Sequence, residues 1–330
     1  MSLRILIFML LGLAGLPAGS SAAPMARVIH GGAGKMNREA LSAQQEAAIR
    51  GELDKALDAG YAVLREGGSA LDAVIAAVTL MEDSPHFNAG RGAVFNAEGV
   101  NELDAAIMDG AQQRAGAVAA VHTVRNPIRL ARAVMERSKH VMLIGDGAEA
   151  FGRTQGIATV DPSYFRTEHR WKQLQDAKAR EAARSAVPGR YQLGTVGAVA
   201  LDAKGHIAAG TSTGGMTNKR WGRVGDVPVI GAGTWADPEC GVSATGWGEY
   251  FIRLAVAHDI CARVSYRGDT LEAAATEVVS KRVPALGGNG GIIALDKQGN
   301  LALTFNTPGM YRAWIRPDGE RGTAIFEDRQ

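Results

Sequence analysis

Short apolar runs alternate along this chain with stretches whose apolar residues recur every three or four positions. These are the patterns of buried strands and of one-sided helices. Val28-Ile29 predicts a short first strand that breaks at His30-Gly31-Gly32-Ala33-Gly34. Helical spacing follows from Ala40 to Glu66 and stops at Gly67-Gly68. Ser69 then caps a second helix, Ala70 to Met81. Residues 82–100 carry glycine and asparagine with neither period and predict a loop. Leu103 to Met108 and Gly116 to Val121 predict strands, and Asn126-Pro127 opens a helix to about Ser138. Val141 to Ile144 predicts a strand and Ala148 to Gly152 a short helix.

Residues 164–192 differ in texture. They are rich in charge, Gln and Ala, and predict a partial helix fading into a flexible linker ended by Pro188-Gly189. Val196 to Leu201 follows as a buried strand with Thr195 at its head. The second half is strand-rich, with helices expected from about Gly248 to Ala262 and from Thr270 to Val283. Two hairpins echo each other, at Asp202-Ala203-Lys204-Gly205-His206 and Asp296-Lys297-Gln298-Gly299-Asn300. Each has glycine at the fourth place, where a three-residue loop needs a left-handed residue. If Asp202 pairs with His206, counting outward sets Leu201 opposite Ile207 and Thr195 opposite Thr213. Opposed side chains lie about 4.5–5.5 Å apart at Cβ, so the two hydroxyls would meet.

Composition adds an address and removes several classes. The 330 residues are 46% hydrophobic, enough for a sizeable core. Thirty-six basic and 34 acidic residues give a formal charge of +2 and no reason to expect nucleic acid as a partner. Residues 1–23 read as a secretory signal: Arg4, an apolar run from Ile5 to Leu16, then small residues through Ala23. That run is shorter than the roughly 20 apolar residues of a membrane anchor. The expected location is therefore periplasmic or secreted, with no membrane contact beyond the signal. Cys240 and Cys261 are the two cysteines. They lack a zinc spacing, and either pair once or remain two partly buried thiols. No G-x-S-x-G elbow, phosphate loop or H-E-x-x-H stands anywhere in the chain.

Four segments carry candidate chemistry. A cut between Gly194 and Thr195 would make Thr195 an N-terminus, with its hydroxyl as nucleophile and its own α-amine as base. Such an amine has a pKa of about 7.7–8.0 and accepts a proton near neutral pH. Arg223-Val224-Gly225-Asp226 offers an arginine fork for a carboxylate and an aspartate for an ammonium, the head group of a free α-amino acid. Thr245-Gly246, before a helical run, offers a hydroxyl and a backbone N–H for an oxyanion. Phe87-Asn88-Ala89-Gly90-Arg91-Gly92 places polar groups inside a glycine turn.

With Met108-Asp109-Gly110, Thr211-Ser212-Thr213-Gly214-Gly215 and Met310-Tyr311-Arg312-Ala313, these segments resemble the plant-type (type 2) L-asparaginase and isoaspartyl peptidase family. The match runs in the family's order over nearly the whole chain after the signal. It implies an α+β fold, the αββα sandwich of the N-terminal-nucleophile hydrolases. It also implies self-cleavage into an α subunit (24–194) and a β subunit (195–330), assembled as a dimer of αβ pairs. By position, Thr195 is nucleophile and base, Thr213 supports it, and Arg223, Asp226 and Gly246 hold the substrate. Thr245 and Gly246 form the oxyanion hole, and Asn88 orders the site. No catalytic cofactor is implied. A structural sodium ion is, held by backbone carbonyls of Met81, Glu82, Ser84, Phe87, Ala89 and Arg91. The implied substrates are β-aspartyl dipeptides and L-asparagine.

Trp247 departs from the family, whose members carry a polar residue there, and so does the signal, since familiar members are cytoplasmic. Glycosylasparaginase, an exported branch of the same superfamily, is the nearest rival. Gly194 and Gly215-Met216-Thr217-Asn218 favour the peptidase branch. A binding protein that never cleaves is the rival of another class.

Overall fold

The computed structural model describes residues 25–34, 36, 38, 41–183 and 194–327. The expected signal and residues 184–192 of the expected linker lie outside the described residues. The strands are β1 (Ala26–Gly34), β2 (Leu103–Asp109), β3 (Arg114–Val121), β4 (Met142–Ile144), β5 (Val196–Leu201) and β6 (Ile207–Thr213). They continue with β7 (Thr234–Ala236), β8 (Cys240–Gly246), β9 (Gly290–Asp296), β10 (Leu301–Ala302), β11 (Gly309–Ile315) and β12 (Arg321–Phe326). An eight-stranded sheet has the order β12-β11-β1-β5-β6-β2-β3-β4, and a four-stranded sheet the order β10-β9-β8-β7.

The helices are α1 (Ala43–Arg65), α2 (Ala70–Asp83), α3 (Pro127–Arg137), α4 (Gly145–Thr154) and α5 (Glu168–Ala182). Then come α6 (Gly248–Leu254), α7 (Val256–Ala262), α8 (Leu271–Ala275) and α9 (Val283–Ala285). Helices α1, α2 and α3 cover the outer face of the large sheet through Leu53, Leu57, Val74, Val78, Ile128 and their neighbours. Helices α7 and α8 pack on the outer face of the small sheet through Ile260, Leu271, Val242 and Ile292. Val28, Val199, Ile207, Ile293 and Leu295 fill the layer between the sheets. The fold is an αββα sandwich, as expected.

Local chemistry explains most boundaries. Ser42 and Gln45 form a reciprocal capping box at the start of α1, and the Ser69 hydroxyl accepts from the Asp72 N–H at the start of α2. Asp202 accepts the N–H groups of Lys204 and His206 with one oxygen and that of Ala70 with the other, fixing the β5–β6 hairpin to the head of α2. Asp296 does the same for Gln298 and Asn300. Gly205 (φ +78°) and Gly299 (φ +83°) are both left-handed, as their turns require.

Two expectations change and two open points are settled. The first strand does not break at the glycines: β5 pairs with it as far as His30, and β11 carries it on to Gly34, with a bulge between His30 and Gly32. Pairing with β11 overrides the weak propensity of glycine. The helix from 248 to 262 is interrupted at Ala255, which is left-handed (φ +49°). The break lets Ala257 and His258 donate their N–H groups to the carbonyls of Ala232 and Gly231. Cys240 and Cys261 form a disulfide, Cα atoms 5.5 Å apart, pinning β8 to α7. The helix expected within 164–192 is well formed as α5, anchored by buried Arg170 and Leu174.

Candidate active site

Thr195 sits directly before β5, and the hairpin register delivers it as counted: Leu201 faces Ile207 and Val196 faces Ser212. The Thr195 and Thr213 hydroxyls are 3.1 Å apart. Thr195 is buried, and its Oγ1 lies 2.6 Å from the carbonyl oxygen of Gly194. Asn88 Nδ2 donates to the same oxygen at 2.9 Å and to the Gly215 carbonyl at 2.8 Å. Its Oδ1 accepts from the Val94 N–H at 2.9 Å. Both amide protons of Asn88 are thus engaged, which locks the side chain.

Gly32 closes the other side. It is left-handed (φ +111°), and a Cβ there would lie 2.8 Å from Gly194 Cα and 3.0 Å from Thr195 N. The glycine run that reads as a turn is a strand edge pressed against the Gly194–Thr195 junction. The next residue, Ala33, donates its N–H to Thr245 Oγ1 at 3.2 Å, so β1 touches both Thr195 and Thr245. Gly246 ends β8 opposite Gly290.

Arg223 and Asp226 stand together, joined to the threonines through Gly215. The Gly215 N–H donates to Thr213 Oγ1 at 3.0 Å, while a Cβ on Gly215 would lie 3.5 Å from Arg223 Nη1. The first residue of α6, Gly248, seats against the pair: a Cβ there would meet Asp226 Oδ1 at 2.7 Å and Arg223 Nη2 at 2.8 Å. Asp226 is buried, and its Oδ2 has no hydrogen-bond partner. Burial pushes its carboxyl up to about 7, against the pull of Arg223.

Sequence reasoning missed the partner of Arg223. Its Nε and Nη2 donate to Glu249 Oε1 and Oε2 at 2.9 and 3.0 Å. Burial raises the Glu249 carboxyl, but bonds and charge from Arg223 outweigh it and hold the group below the usual range. Glu249 stands three residues past Gly246, and an acid beside an arginine motif was the available signal. Trp247 bonds the Glu249 carboxylate and meets Tyr250 edge-on, ring centroids 5.2 Å apart.

Glu82 was also missed as a side chain. Its Oε1 accepts from Ser212 Oγ at 2.6 Å and the Ile128 N–H at 3.0 Å, and burial pushes the carboxyl up to about 8. It ties the C-terminal end of α2 to the strand bearing Thr213. At that end the Met81 carbonyl accepts from Ser84, and in the loop beyond it that of Ala89 from Gly92. A Cβ on Gly90 or Gly92 would fall 2.2 Å from the Glu82 carbonyl oxygen or 2.0 Å from that of Phe87. Among the described residues, no cluster of His, Cys, Asp and Glu is arranged to hold a metal ion.

Two sheets between helical layers, with a threonine heading a central strand, define the class of N-terminal-nucleophile hydrolases. A family model described as asparaginase matches residues 24–325, and the chain belongs to that family of hydrolytic enzymes. It is 49% identical over 307 residues to an isoaspartyl peptidase of Escherichia coli (strain K12), covering 91% of this chain and 96% of the relative. It is 50% identical over 306 residues to an isoaspartyl peptidase of Salmonella typhimurium, covering 91% and 98%. An isoaspartyl peptidase/L-asparaginase of Mus musculus is 43% identical over 290 residues, covering 88% and 87%.

Proposed function

We propose that this protein is a self-cleaving threonine amidohydrolase that acts on β-aspartyl peptides and L-asparagine. One observation carries the reading: a buried threonine hydroxyl lies 2.6 Å from the carbonyl oxygen of the preceding glycine, with Asn88 already donating to that oxygen. Thr195 Oγ1 attacks the Gly194 carbonyl carbon, and Asn88 steadies the oxyanion. The C–N bond breaks, its nitrogen takes the hydroxyl proton, and an ester joins Gly194 to Thr195 Oγ1. Water hydrolyses the ester to the Gly194 carboxylate and a Thr195 bearing a free hydroxyl and a free amine. The products are an α subunit (24–194) and a β subunit (195–330).

The same hydroxyl then serves turnover. L-asparagine and a β-aspartyl peptide present one L-aspartyl head and one side-chain amide. Arg223 binds the α-carboxylate as a planar fork, and Asp226, with Gly246, takes the α-ammonium. The Thr195 amine draws the proton from Oγ1 as the oxygen attacks the amide carbon. Thr213 orients that oxygen, and the Thr245 hydroxyl and Gly246 N–H receive the oxyanion. Ammonia or the peptide's amine departs with the proton, and water releases L-aspartate from the β-aspartyl ester.

We infer export as well, which the disulfide supports, since such bonds persist in oxidising compartments. The loop of Met81, Glu82, Ser84, Phe87, Ala89 and Arg91 suits sodium by its carbonyl oxygens, those of Glu82 and Phe87 turned onto side-chain-free glycines. The ion would brace Asn88 and take no part in the chemistry. A dimer of αβ pairs is the proposed assembly.

Thr195→Ala tests the reading. The variant should remain one chain by intact mass and hydrolyse neither a β-aspartyl dipeptide nor asparagine; two subunits from it would refute the assignment. A panel adding a glycosylated asparagine measures substrate choice.

A further inference from the structure

A row of polar side chains lies buried between the sheets, directly below Thr195. His30 on β1, Gly197 on β5 and Thr211 on β6 stand opposite one another on neighbouring strands. Gly197 leaves a gap that Ser243 of the small sheet fills: a Cβ on Gly197 would lie 1.9 Å from Ser243 Oγ and 2.5 Å from His30 Nε2. Ser243 Oγ is 2.9 Å from His30 Nε2 and 2.7 Å from Thr211 Oγ1. Thr234, opposite Ser243 on β7, donates to Thr211 Oγ1 at 2.7 Å. All four side chains are fully buried.

The row connects the two halves of the site. Thr211 Oγ1 is 3.2 Å from the Gly233 carbonyl, Thr234 Oγ1 is 3.2 Å from that of Val227, and the Gly233 N–H donates to the Asp226 carbonyl at 3.1 Å. At its other end, the His30 ring lies beside the Thr195 backbone, and burial lowers its pKa to about 3. A neutral ring has one N–H. With Ser243 donating to Nε2, the proton sits on Nδ1, which is buried and makes no well-aligned hydrogen bond in the uncut chain. Ser243 donates to His30, and each threonine shares its one proton between the row and a carbonyl: Thr234 between Thr211 Oγ1 and Val227, Thr211 between Ser243 Oγ and Gly233. Burying such a row costs more than an apolar filling of the same shape, so packing alone does not account for it.

We propose that His30 is a positioning residue for Thr195, holding the nucleophile's backbone in register with the Asp226 segment through Ser243, Thr211 and Thr234. The inference rests on Thr195 being the nucleophile. Release of the Thr195 amine by cleavage frees its backbone to settle onto the Nδ1 proton. His30 touches neither substrate nor reacting atoms; it sets the distance and angle from which Oγ1 attacks.

Four full-length variants test it: T195A, S243A, H30N and H30Q. Asparagine places an N–H where histidine has Nδ1 and keeps the arm toward Thr195. Glutamine reaches the Nε2 position and keeps only the arm toward Ser243. The readouts are kcat and KM on a β-aspartyl dipeptide, the midpoint of thermal unfolding, and the half-time of self-cleavage wherever a variant stays uncut. H30Q should lose about 100-fold in kcat with KM within about twofold, the usual effect of misplacing a reacting atom by about 1 Å. H30N should retain at least about tenfold more activity than H30Q, and S243A should fall between them. Equal losses in H30N and H30Q, or losses that merely track unfolding temperature, overturn the proposal, and S243A decides it if the histidine variants do not fold. An active T195A would sink the nucleophile reading itself; an inert T195A with a normal H30Q sinks only the role of His30.

Discussion

On the proposed reading, replacing Gly32 by alanine is the sharpest perturbation of self-cleavage, because the new methyl meets the Gly194–Thr195 junction and nothing else as closely. It would lie 2.8 Å from Gly194 Cα, 3.0 Å from Thr195 N and 3.3 Å from Thr195 O. Carbon atoms in ordinary contact sit about 3.5–4.0 Å apart, so something must move by roughly 1 Å. Gly32 is backed by the β11 ladder, where it faces Tyr311, whereas the β5 ladder begins at Val196, one residue beyond the junction. The junction therefore yields first. A shift of about 1 Å between nucleophile and carbonyl costs about 100-fold in rate. The left-handed backbone at Gly32 adds strain of about 1–3 kcal/mol in the folded state.

The consequence is asymmetric. Cleavage removes Gly194 from the contact and leaves the milder one with Thr195. Self-cleavage of Gly32→Ala should slow about 100-fold, while turnover by material that has finally matured falls by only about tenfold. Freshly purified precursor is followed by intact mass, and turnover is measured per Thr195 amino terminus. Maturation as fast as in the parent protein would refute the reasoning, and so would equal losses in both steps.

Three further outcomes follow from the clamp and the disulfide. Asp226 is neutral below about pH 7 and charged above it, so L-aspartate should inhibit more weakly as pH falls through 7; a pH-independent inhibition constant between pH 6 and 8 would contradict its role. If Arg223 binds the substrate carboxylate as proposed, Glu249→Gln removes the anion that carboxylate displaces, and because Glu249 is about half exposed, the pair being worth about 0.2–1 kcal/mol, KM should fall at most about fivefold; a raised KM would refute competition. Replacing Cys240 and Cys261 by alanine opens a loop of sequence separation 21 and should lower stability by about 2–4 kcal/mol in urea titrations, while an unchanged midpoint would show that packing alone holds α7 on β8.

The sequence reported the site better than the details of the fold. The Thr195–Thr213 pairing was legible because a three-residue turn and a period of two leave one register once Asp202 and His206 are paired. The αββα class came from resemblance, not from periodicity. Gly32 was misread for a physical reason: glycine weakens any local prediction, and β1 owes its shape to two neighbours far away in sequence. The Arg223–Glu249 pair and the Glu82–Ser212 bond join residues 26 and 130 positions apart, and no local pattern encodes them. Ala255 was invisible because a left-handed alanine has no signature of its own; distant carbonyls of Gly231 and Ala232 impose it. The disulfide stayed open because two cysteines carry no geometry until β8 and α7 are placed.

On the proposed reading, one hydroxyl must attack two different carbonyls in succession, first that of Gly194 and later that of a substrate. The donors are divided in a way that suits both. Asn88 spends one amide proton on Gly194 and the other on Gly215, so loss of the cut end frees a single donor while the Gly215 contact still anchors the side chain. Thr213 donates to the Gly194 carbonyl at 3.3 Å but also accepts the Gly215 N–H, an anchor that does not depend on the junction. Thr245 takes its bond from Ala33 on β1 rather than from the cut segment, and is therefore already in place when the first substrate arrives. The groups assigned to turnover thus hang from strands that cleavage does not disturb. That arrangement is why a defect confined to the junction, such as a methyl on Gly32, should slow birth of the enzyme more than its work.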